Sequence, residues 1–321
     1  MKRIALLFLI SGILNASYNV KNEKAFICGV GKNIAFALPN MMKKMEQLGS
    51  AFADYRIVIY ENNSTDNTVA ILKEWAQRNS KVIIFSENLT AQEAYNRTKA
   101  HALSDNAPNR MEMIAYGRNK TLEKALEPQF DDFKFFIMSD MDFMQGWTID
   151  GVSSSFRTNL EWDCITANGI QGDGTYYDRY TYRDEKFVLG AELIGEAFWH
   201  ELHRTPFKIT SQSFKKILAG FGGVAIYKKE SIRNFRYCGY VTKDVEILMD
   251  FIINNTMPKN HPQYILYKSI INSSDERLPI IFQACCGYDS PVMCDHSPLQ
   301  ASMVLQGFDK IYLNPAMICQ Y

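Results

Sequence analysis

Residues 133–143 read Phe-Lys-Phe-Phe-Ile-Met-Ser-Asp-Met-Asp-Phe, and this stretch decides how the chain is read. The run 133–138 is almost wholly apolar and aromatic, the signature of a short buried strand. It stops at Ser139 and Asp140, and Met141, Asp142 and Phe143 follow. Two carboxylates, Asp140 and Asp142, therefore leave the end of a buried strand. Oxygen ligands so placed suit Mg2+ or Mn2+ held beside phosphate groups. Such a cation neutralises charge that grows on a diphosphate leaving group. Asp-x-Asp is a common tripeptide, and a pair of solvated loop acids reads the same way. The position at a strand end is what favours the first reading.

Outward from that strand, the same apolar signature recurs three times upstream. Residues 24–29 (KAFICG), 55–60 (YRIVIY) and 81–85 (KVIIF) read as short buried strands. A helical pattern covers 34–48, where Pro39 starts a new helix or kinks the first. A second runs from a Ser64 or Thr65 cap to about residue 78, and a third covers 110–125. Strands alternating with helices predict an α/β fold of Rossmann type: a mixed, mostly parallel sheet with helices on both faces. Right-handed crossovers put successive strand-end loops on one side, where ligands bind in such sheets. Beyond Trp147 the pattern changes. A strand is expected at 161–168 and a Gly-, Tyr- and Asp-rich loop at 169–185. A glycine turn enters a strand at 218–227, a helix follows at 245–253, and 280–315 reads as short strands and loops.

The 321 residues are 47% hydrophobic, ample for a large packed core. Lys plus Arg and Asp plus Glu both number 35, so net charge is zero and a nucleic-acid partner is disfavoured. Lys2 and Arg3 precede an apolar run over 4–14, which is short for a membrane span. Residues 1–16 are therefore expected to be a signal peptide or, uncleaved, a short membrane anchor, with a buried first strand as the alternative. That start predicts the secretory pathway, an organelle lumen, the periplasm or secretion. None of the seven cysteines has zinc-finger spacing, and their odd number leaves at least one outside any intrachain disulfide.

Three further features carry chemistry. Residues 61–68, Glu-Asn-Asn-Ser-Thr-Asp-Asn-Thr, follow the second strand. Glu61, Asn63 and Asp66 can meet nucleobase donors and ribose hydroxyls there; the same residues also make an ordinary capped turn. Arg118, on the third helix, offers a fork of donors to a donor phosphate or to Asp140. Gly220, Gly222 and Gly223 let backbone approach a sugar closely, or simply turn the chain before a strand.

The pieces ICGVGKNI (27–34), VIYENNSTDNT (58–68), AYGRN (115–119) and IMSDMDF (137–143) occur in this order. Together they resemble the donor-binding half of GT-A glycosyltransferases, with the fungal capsule-associated α-1,3-mannosyltransferases and their bacterial and viral relatives as the nearest likeness. GFGGVAIYKK (220–229), VMCDHSPLQ (292–300) and IYLNPAM (311–317) are similar to the acceptor half. The resemblance implies a single GT-A-like catalytic domain over 22–317, with a nucleotide-donor half at 22–143 and an acceptor half at 144–317. It implies metal-dependent transfer of a hexose, mannose favoured, from GDP-mannose or a UDP-hexose. The acceptor would be a glycan, a lipid-linked hydroxyl or a protein, and a membrane would be involved only through an uncleaved N-terminal segment.

By the same resemblance, Asp140 and Asp142 match the metal-binding carboxylates, and Glu61 and Asp66 match the nucleotide edge. His296 stands where a late histidine completes the metal shell or touches the diphosphate; an imidazole suits Mn2+ better than Mg2+. Two departures matter. Cys294-Asp295-His296 has aspartate where such relatives more often carry glutamate, and Asp244-Val245-Glu246 has no neighbouring histidine. An inverting transfer needs a base for the acceptor hydroxyl, with Asp244 and Glu246 as candidates and Asp184 next. A retaining transfer needs no separate base, and the stereochemistry stays open.

Rival readings are weaker. Gly29-Val30-Gly31-Lys32-Asn33-Ile34 lacks the third glycine of a dinucleotide fingerprint. Aspartyl phosphoryl transferases place their Asp-x-Asp after the first strand, whereas Asp140 comes late. A metal-dependent nucleotide-sugar hydrolase, or a carbohydrate- or nucleotide-sugar-binding protein without activity, fits the same pattern.

Overall fold

The computed structural model describes residues 19–98, 109–143, 145–188, 190, 207–273 and 292–321. The signal-like segment 1–16 and the Cys285-Cys286 pair lie outside the described residues. The first half runs β1 (Lys24–Gly31), α1 (Leu38–Gly49), β2 (Asp54–Asn62), α2 (Thr68–Arg78), β3 (Val82–Glu87), α3 (Ala91–Thr98), α4 (Arg110–Ala125) and β4 (Phe135–Asp140). The second half continues with β5 (Gly146–Trp147), α5 (Ile149–Ser154), β6 (Cys164–Ile170), β7 (Lys215–Lys216) and β8 (Val224–Lys228). It ends with α6 (Lys229–Ile232), α7 (Lys243–Asn255), α8 (Pro262–Ser273), α9 (His296–Leu305) and β9 (Ile311–Gln320).

These strands form one sheet in the order β3-β2-β1-β4-β8-β6-β9-β5, with β7 paired to β9. β1 is parallel to β2 and β4, and β2 to β3. β8 enters antiparallel to β4 and β6, while β6 and β9 are parallel. The architecture is α/β, a mixed and mostly parallel GT-A-like Rossmann sheet, and one sheet carries both halves of the chain. The central strands are apolar without alternation because both faces are covered. In β4, Phe135 and Ile137 join a cluster with Met41, Met45, Leu72 and Trp75 from α1 and α2. Phe136 and Met138 join the opposite cluster, with Leu122 of α4 and Leu299 of α9. Each such side chain, fully buried, contributes about 2 kcal/mol.

Some boundaries differ from the sequence reading. Pro39 sits in the first turn of α1 and starts it, where its missing N–H costs nothing. The N-cap of α2 is Asn67 rather than Ser64 or Thr65, whose groups bond instead to the loop after β1. Helix α9 lies within 280–315, where the sequence pattern predicts short strands and loops. It is buried on nearly every side, from His296 to Ala301 without a break, so it has no polar face to reveal its period. Val245, Ile252, Tyr267 and Ala301 bind α7, α8 and α9 into a third cluster. The described cysteines, Cys28, Cys164, Cys238, Cys294 and Cys319, are free thiols. Among the described residues no helix is long and apolar enough to cross a membrane.

Candidate functional site

Strand-like alternation continues past the end of β4. Met141 and Phe143 turn inward, each 1% exposed, while Asp142 faces solvent. Gly29 of β1 makes room for this, since a Cβ there would stand 2.5 Å from the Met141 sulfur. Antiparallel pairing of β4 with β8 brings the turn at 220–223 to Asp140, whose amide N–H donates to the Gly223 carbonyl at 2.9 Å. The Asp140 carboxylate accepts from Arg118 at 3.1 Å through Oδ1 and from the Tyr321 hydroxyl at 2.8 Å through Oδ2. Burial pushes its pKa up to about 7; Arg118 opposes the rise, and the Asp142 and Asp178 charges add to it.

The surroundings of Asp140 explain the glycines. Gly222 has φ +62°, and a Cβ on it would overlap the Ala167 carbonyl. Gly223 has φ +97°, and a Cβ on it would strike the Phe143 ring and lie 2.8 Å from the Tyr321 hydroxyl. The space at both positions is filled by this chain, so they shape the site rather than opening it to a sugar, a correction to the sequence reading. Tyr321 packs edge-on to Phe143 at 4.7 Å and stacks on the exposed Tyr177 at 3.5 Å. Asp178 pins the turn by accepting from the Gly222 N–H at 2.9 Å and the Thr181 hydroxyl at 2.6 Å; burial raises its pKa.

Arg118 arrives because α4 packs tightly on β2. A Cβ at the preceding Gly117 would stand 2.5 Å from the Tyr60 ring. The Arg118 guanidinium bridges two carboxylates, at 3.1 Å to Asp140 and 2.6 Å to Asp295, and lies over Phe221 at 4.6 Å. Burial opposes its charge, but Asp295 and Asp140 together hold the guanidinium firmly protonated. Burial raises the pKa of Asp295 and Arg118 pulls it back. Three buried atoms here, Arg118 Nε, Asp295 Oδ2 and His296 Nε2, have no hydrogen-bond partner among the described residues. Unpaired buried polar atoms are costly and concentrate where function demands them.

The turn after β2 is different. Glu61 is 1% exposed, and its carboxylate accepts from the Ser64 N–H and the Ser86 hydroxyl, both at 2.7 Å. Asn63, at φ +54°, donates to the Leu89 carbonyl at 2.6 Å and accepts from the Leu89 N–H at 3.2 Å. Asp66 accepts from the Ala35 N–H at 3.1 Å and the Thr68 N–H at 3.0 Å; the Thr68 hydroxyl first, and then these amides, lower its pKa. All three therefore brace strand-end loops against one another. The exposed aromatic beside them, missed in the sequence, is Phe36 in the loop between β1 and α1, 59% exposed.

The remaining candidates fall elsewhere. His296 is wholly buried, stacked on Phe221 at 3.9 Å, with Nδ1 2.9 Å from the Tyr227 hydroxyl. Burial holds its pKa well below the usual histidine range. It therefore lies in the packing behind Arg118, which corrects its assignment to a metal shell. Asp184 is also a framework acid: it accepts from Tyr182, Lys215 and the Lys186 and Phe187 amides, which together draw its pKa down against burial. Asp244, in the first turn of α7, accepts from Ser302 at 2.6 Å, and Glu246 pairs with Lys243 at 2.9 Å. Among the described residues no hydrogen bond or ion pair joins Asp184, Asp244 or Glu246 to Asp140, Asp142 or Arg118.

Among the described residues no group of three or more His, Cys, Asp or Glu side chains is placed to hold a metal. The fit to a divalent cation rests on Asp140 and Asp142. Asp140 is half-buried against like charges that a cation would relieve, and Asp142 is exposed beside it. Two carboxylates suit a hard cation that takes its other ligands from phosphate and water.

The glycosyl transferase family 2 model matches residues 37–106. No curated protein matches the chain. Among solved structures, the mannosyltransferase PcManGT of Pyrobaculum calidifontis, in complex with GDP-Man and Mn2+, is 11% identical with a TM-score of 0.44, covering 95% of this chain and 59% of that one. TarS of S. aureus is 11% identical with a TM-score of 0.36, covering 67% of this chain and 30% of that one. Glucosyl-3-phosphoglycerate synthase from Mycobacterium tuberculosis, in complex with phosphoglyceric acid, is 12% identical with a TM-score of 0.36, covering 73% and 65%. The chain thus spans less than two thirds of the length of each of these three. At such identities the likeness is one of general architecture and transfers no residue roles. The family model and PcManGT are named as glycosyltransferases, and none of these matches names the narrower fungal mannosyltransferase family.

Proposed function

We propose that this chain is a divalent-cation-dependent glycosyltransferase that moves a hexose from a nucleotide sugar to a hydroxyl acceptor. The observation that carries the reading is the Asp140–Asp142 pair, set at the C-terminal end of a central strand of a GT-A-like sheet, with Arg118 and Tyr321 fixing the inner carboxylate. The family 2 match over residues 37–106 supports it independently.

In this reading Asp140 and Asp142 hold Mg2+ or Mn2+, which when bound offsets charge on the departing diphosphate. Arg118 and Tyr321 orient the Asp140 oxygens before ligand arrives, so little reorganisation is left for the reaction. Tyr321 is itself held between Tyr177, stacked on it, and Phe143, edge-on to it. Phe36, exposed in the loop after β1, is the aromatic offered for stacking on a nucleobase. Mannose as the sugar, GDP-mannose or a UDP-hexose as donor and a glycan, lipid-linked or protein acceptor are finer proposals that rest on the sequence resemblance. The signal-like start adds the proposal of a secretory, lumenal, periplasmic or secreted location.

The test is saturation-transfer NMR with UDP, GDP, CMP and dTDP sugars, with and without Mg2+, followed by turnover assays on whichever donor responds. A Mg2+-dependent response to one donor and acceptor-dependent transfer are expected. Free sugar formed without acceptor points to a hydrolase, and binding without turnover to a binding protein. Folded protein that responds to none of the sugars overturns the reading.

A further inference from the structure

We propose that Asp295 is a positioning residue that holds one arm of Arg118, so that the guanidinium neutralises Asp140 only in part and leaves that carboxylate available to a divalent cation. The inference rests on the cation-dependent reading above and concerns a residue that touches neither cation nor sugar.

Among the described residues, Arg118 is the cation that ion-pairs with Asp140 and Asp295. Its grip is tighter on Asp295, at 2.6 Å against 3.1 Å, and Asp295 is the more buried partner, its side chain 1% exposed against 24% for Asp140. Phe221 and Tyr237 present ring faces 4.6 Å and 5.9 Å from the guanidinium. Tyr237 is in turn clamped by Asn119, which accepts from its N–H at 2.9 Å and donates to its carbonyl at 2.8 Å. Asp295 stands at the head of α9, next to His296, whose ring is held by Tyr227 and Phe221.

Charge counting gives this arrangement a consequence. One guanidinium shared by two ionised carboxylates leaves that trio with a net charge of minus one, and Asp142 and Asp178 beside it add further negative charge that attracts a divalent cation. Without the Asp295 charge, Arg118 has Asp140 as its one carboxylate partner among the described residues. A guanidinium fork fits a single carboxylate through two parallel bonds. It would then engage the oxygens a cation needs and cancel the charge that attracts it. Asp295 thus keeps Arg118 half-engaged.

The experiment is calorimetric titration of Mn2+ into the wild-type protein, Asp295→Asn and the double variant Arg118→Gln/Asp295→Asn, with thermal melts as a check of folding. Asp295→Asn is expected to weaken Mn2+ binding by about tenfold or more, as loss of one nearby charge in a partly screened site implies. The double variant is expected to bind Mn2+ more tightly than Asp295→Asn, because the competing guanidinium is gone as well. A purely structural role for Asp295 would leave the double variant as weak as the single one, or weaker, and that result overturns the proposal. Unchanged Mn2+ affinity in a folded Asp295→Asn overturns it too while leaving the functional reading intact. Wild-type protein that binds no Mn2+ overturns both. If Asp295→Asn does not fold, the double variant, which carries no unpaired buried charge at these two positions, decides alone: measurable Mn2+ binding without the guanidinium is expected, and no measurable binding sinks the inference.

Discussion

Two strand ends of the same sheet, those of β2 and β4, both carry acidic residues yet solve different problems. After β2, the acids of the turn, Glu61 and Asp66, accept hydrogen bonds from the backbone or a hydroxyl of adjoining loops. The turn is satisfied internally. After β4, Asp140 faces the charge of Asp142, Asp142 is exposed, and the guanidinium behind them is divided between two carboxylates. Acidic residues thus serve shape in one place and hold unspent charge in the other. A composition-level reading treats them alike.

Four measurements sharpen or break that contrast. The largest expected effect is on activity. Asp142→Ala should lower transfer about a hundredfold or more with its melting temperature unchanged, because an exposed carboxylate supports no packing. Transfer at the wild-type rate would remove Asp142 from the cation site. Next comes Gly222→Ala. Its positive φ and the overlap with the Ala167 carbonyl should cost about 3 kcal/mol, read from denaturant unfolding.

Glu61→Gln should cost about 1–2 kcal/mol, since an amide cannot accept from both the Ser64 N–H and the Ser86 hydroxyl as the carboxylate does. If it instead abolishes donor binding without loss of stability, the β2 turn is itself a ligand site and the contrast fails. The smallest effect is one of pH. Asp140 holds its proton to about 7 in the folded chain, against an ordinary value of 3.8. Between those values the folded state binds more protons than the unfolded state, so this group's contribution to stability falls as pH rises. Asp140→Asn removes that slope. Its melting temperature relative to wild type should therefore be higher at pH 8 than at pH 5, and a difference that does not vary with pH would contradict the environment described for Asp140.

Much of the framework was legible from local pattern. Helix α4 was expected at 110–125 and runs Arg110–Ala125, with Asn109 capping the Met111 and Glu112 amides. Strand β4 and the placement of Asp140 at its end were legible because a both-faces-buried strand reads as an unbroken apolar run. Helix α9 was not, because a helix buried all round hides its period. Gly222 and Gly223 were visible as a turn, but which atoms crowd them was not. Asp178 lay within a recognised Tyr- and Asp-rich loop, and Asp295 within the Cys-Asp-His piece. Neither carried a local sign of what it would touch.

By itself the sequence determined strands β1 to β4, the helices α1, α2 and α4 between them, the α/β class and the Asp-x-Asp at a strand end, since these follow from hydrophobic period and chain-local sterics. Only the tertiary structure decided what surrounds that pair. Arg118 and Asp295 meet across 177 residues, and Tyr321 reaches Asp140 across 181. It also decided that His296 is packed against Phe221 and Tyr227 instead of reaching the carboxylates. Separations of that length are closed by the pairing of β4 with β8 and of β6 with β9 and by the docking of α9, contacts that no local window encodes.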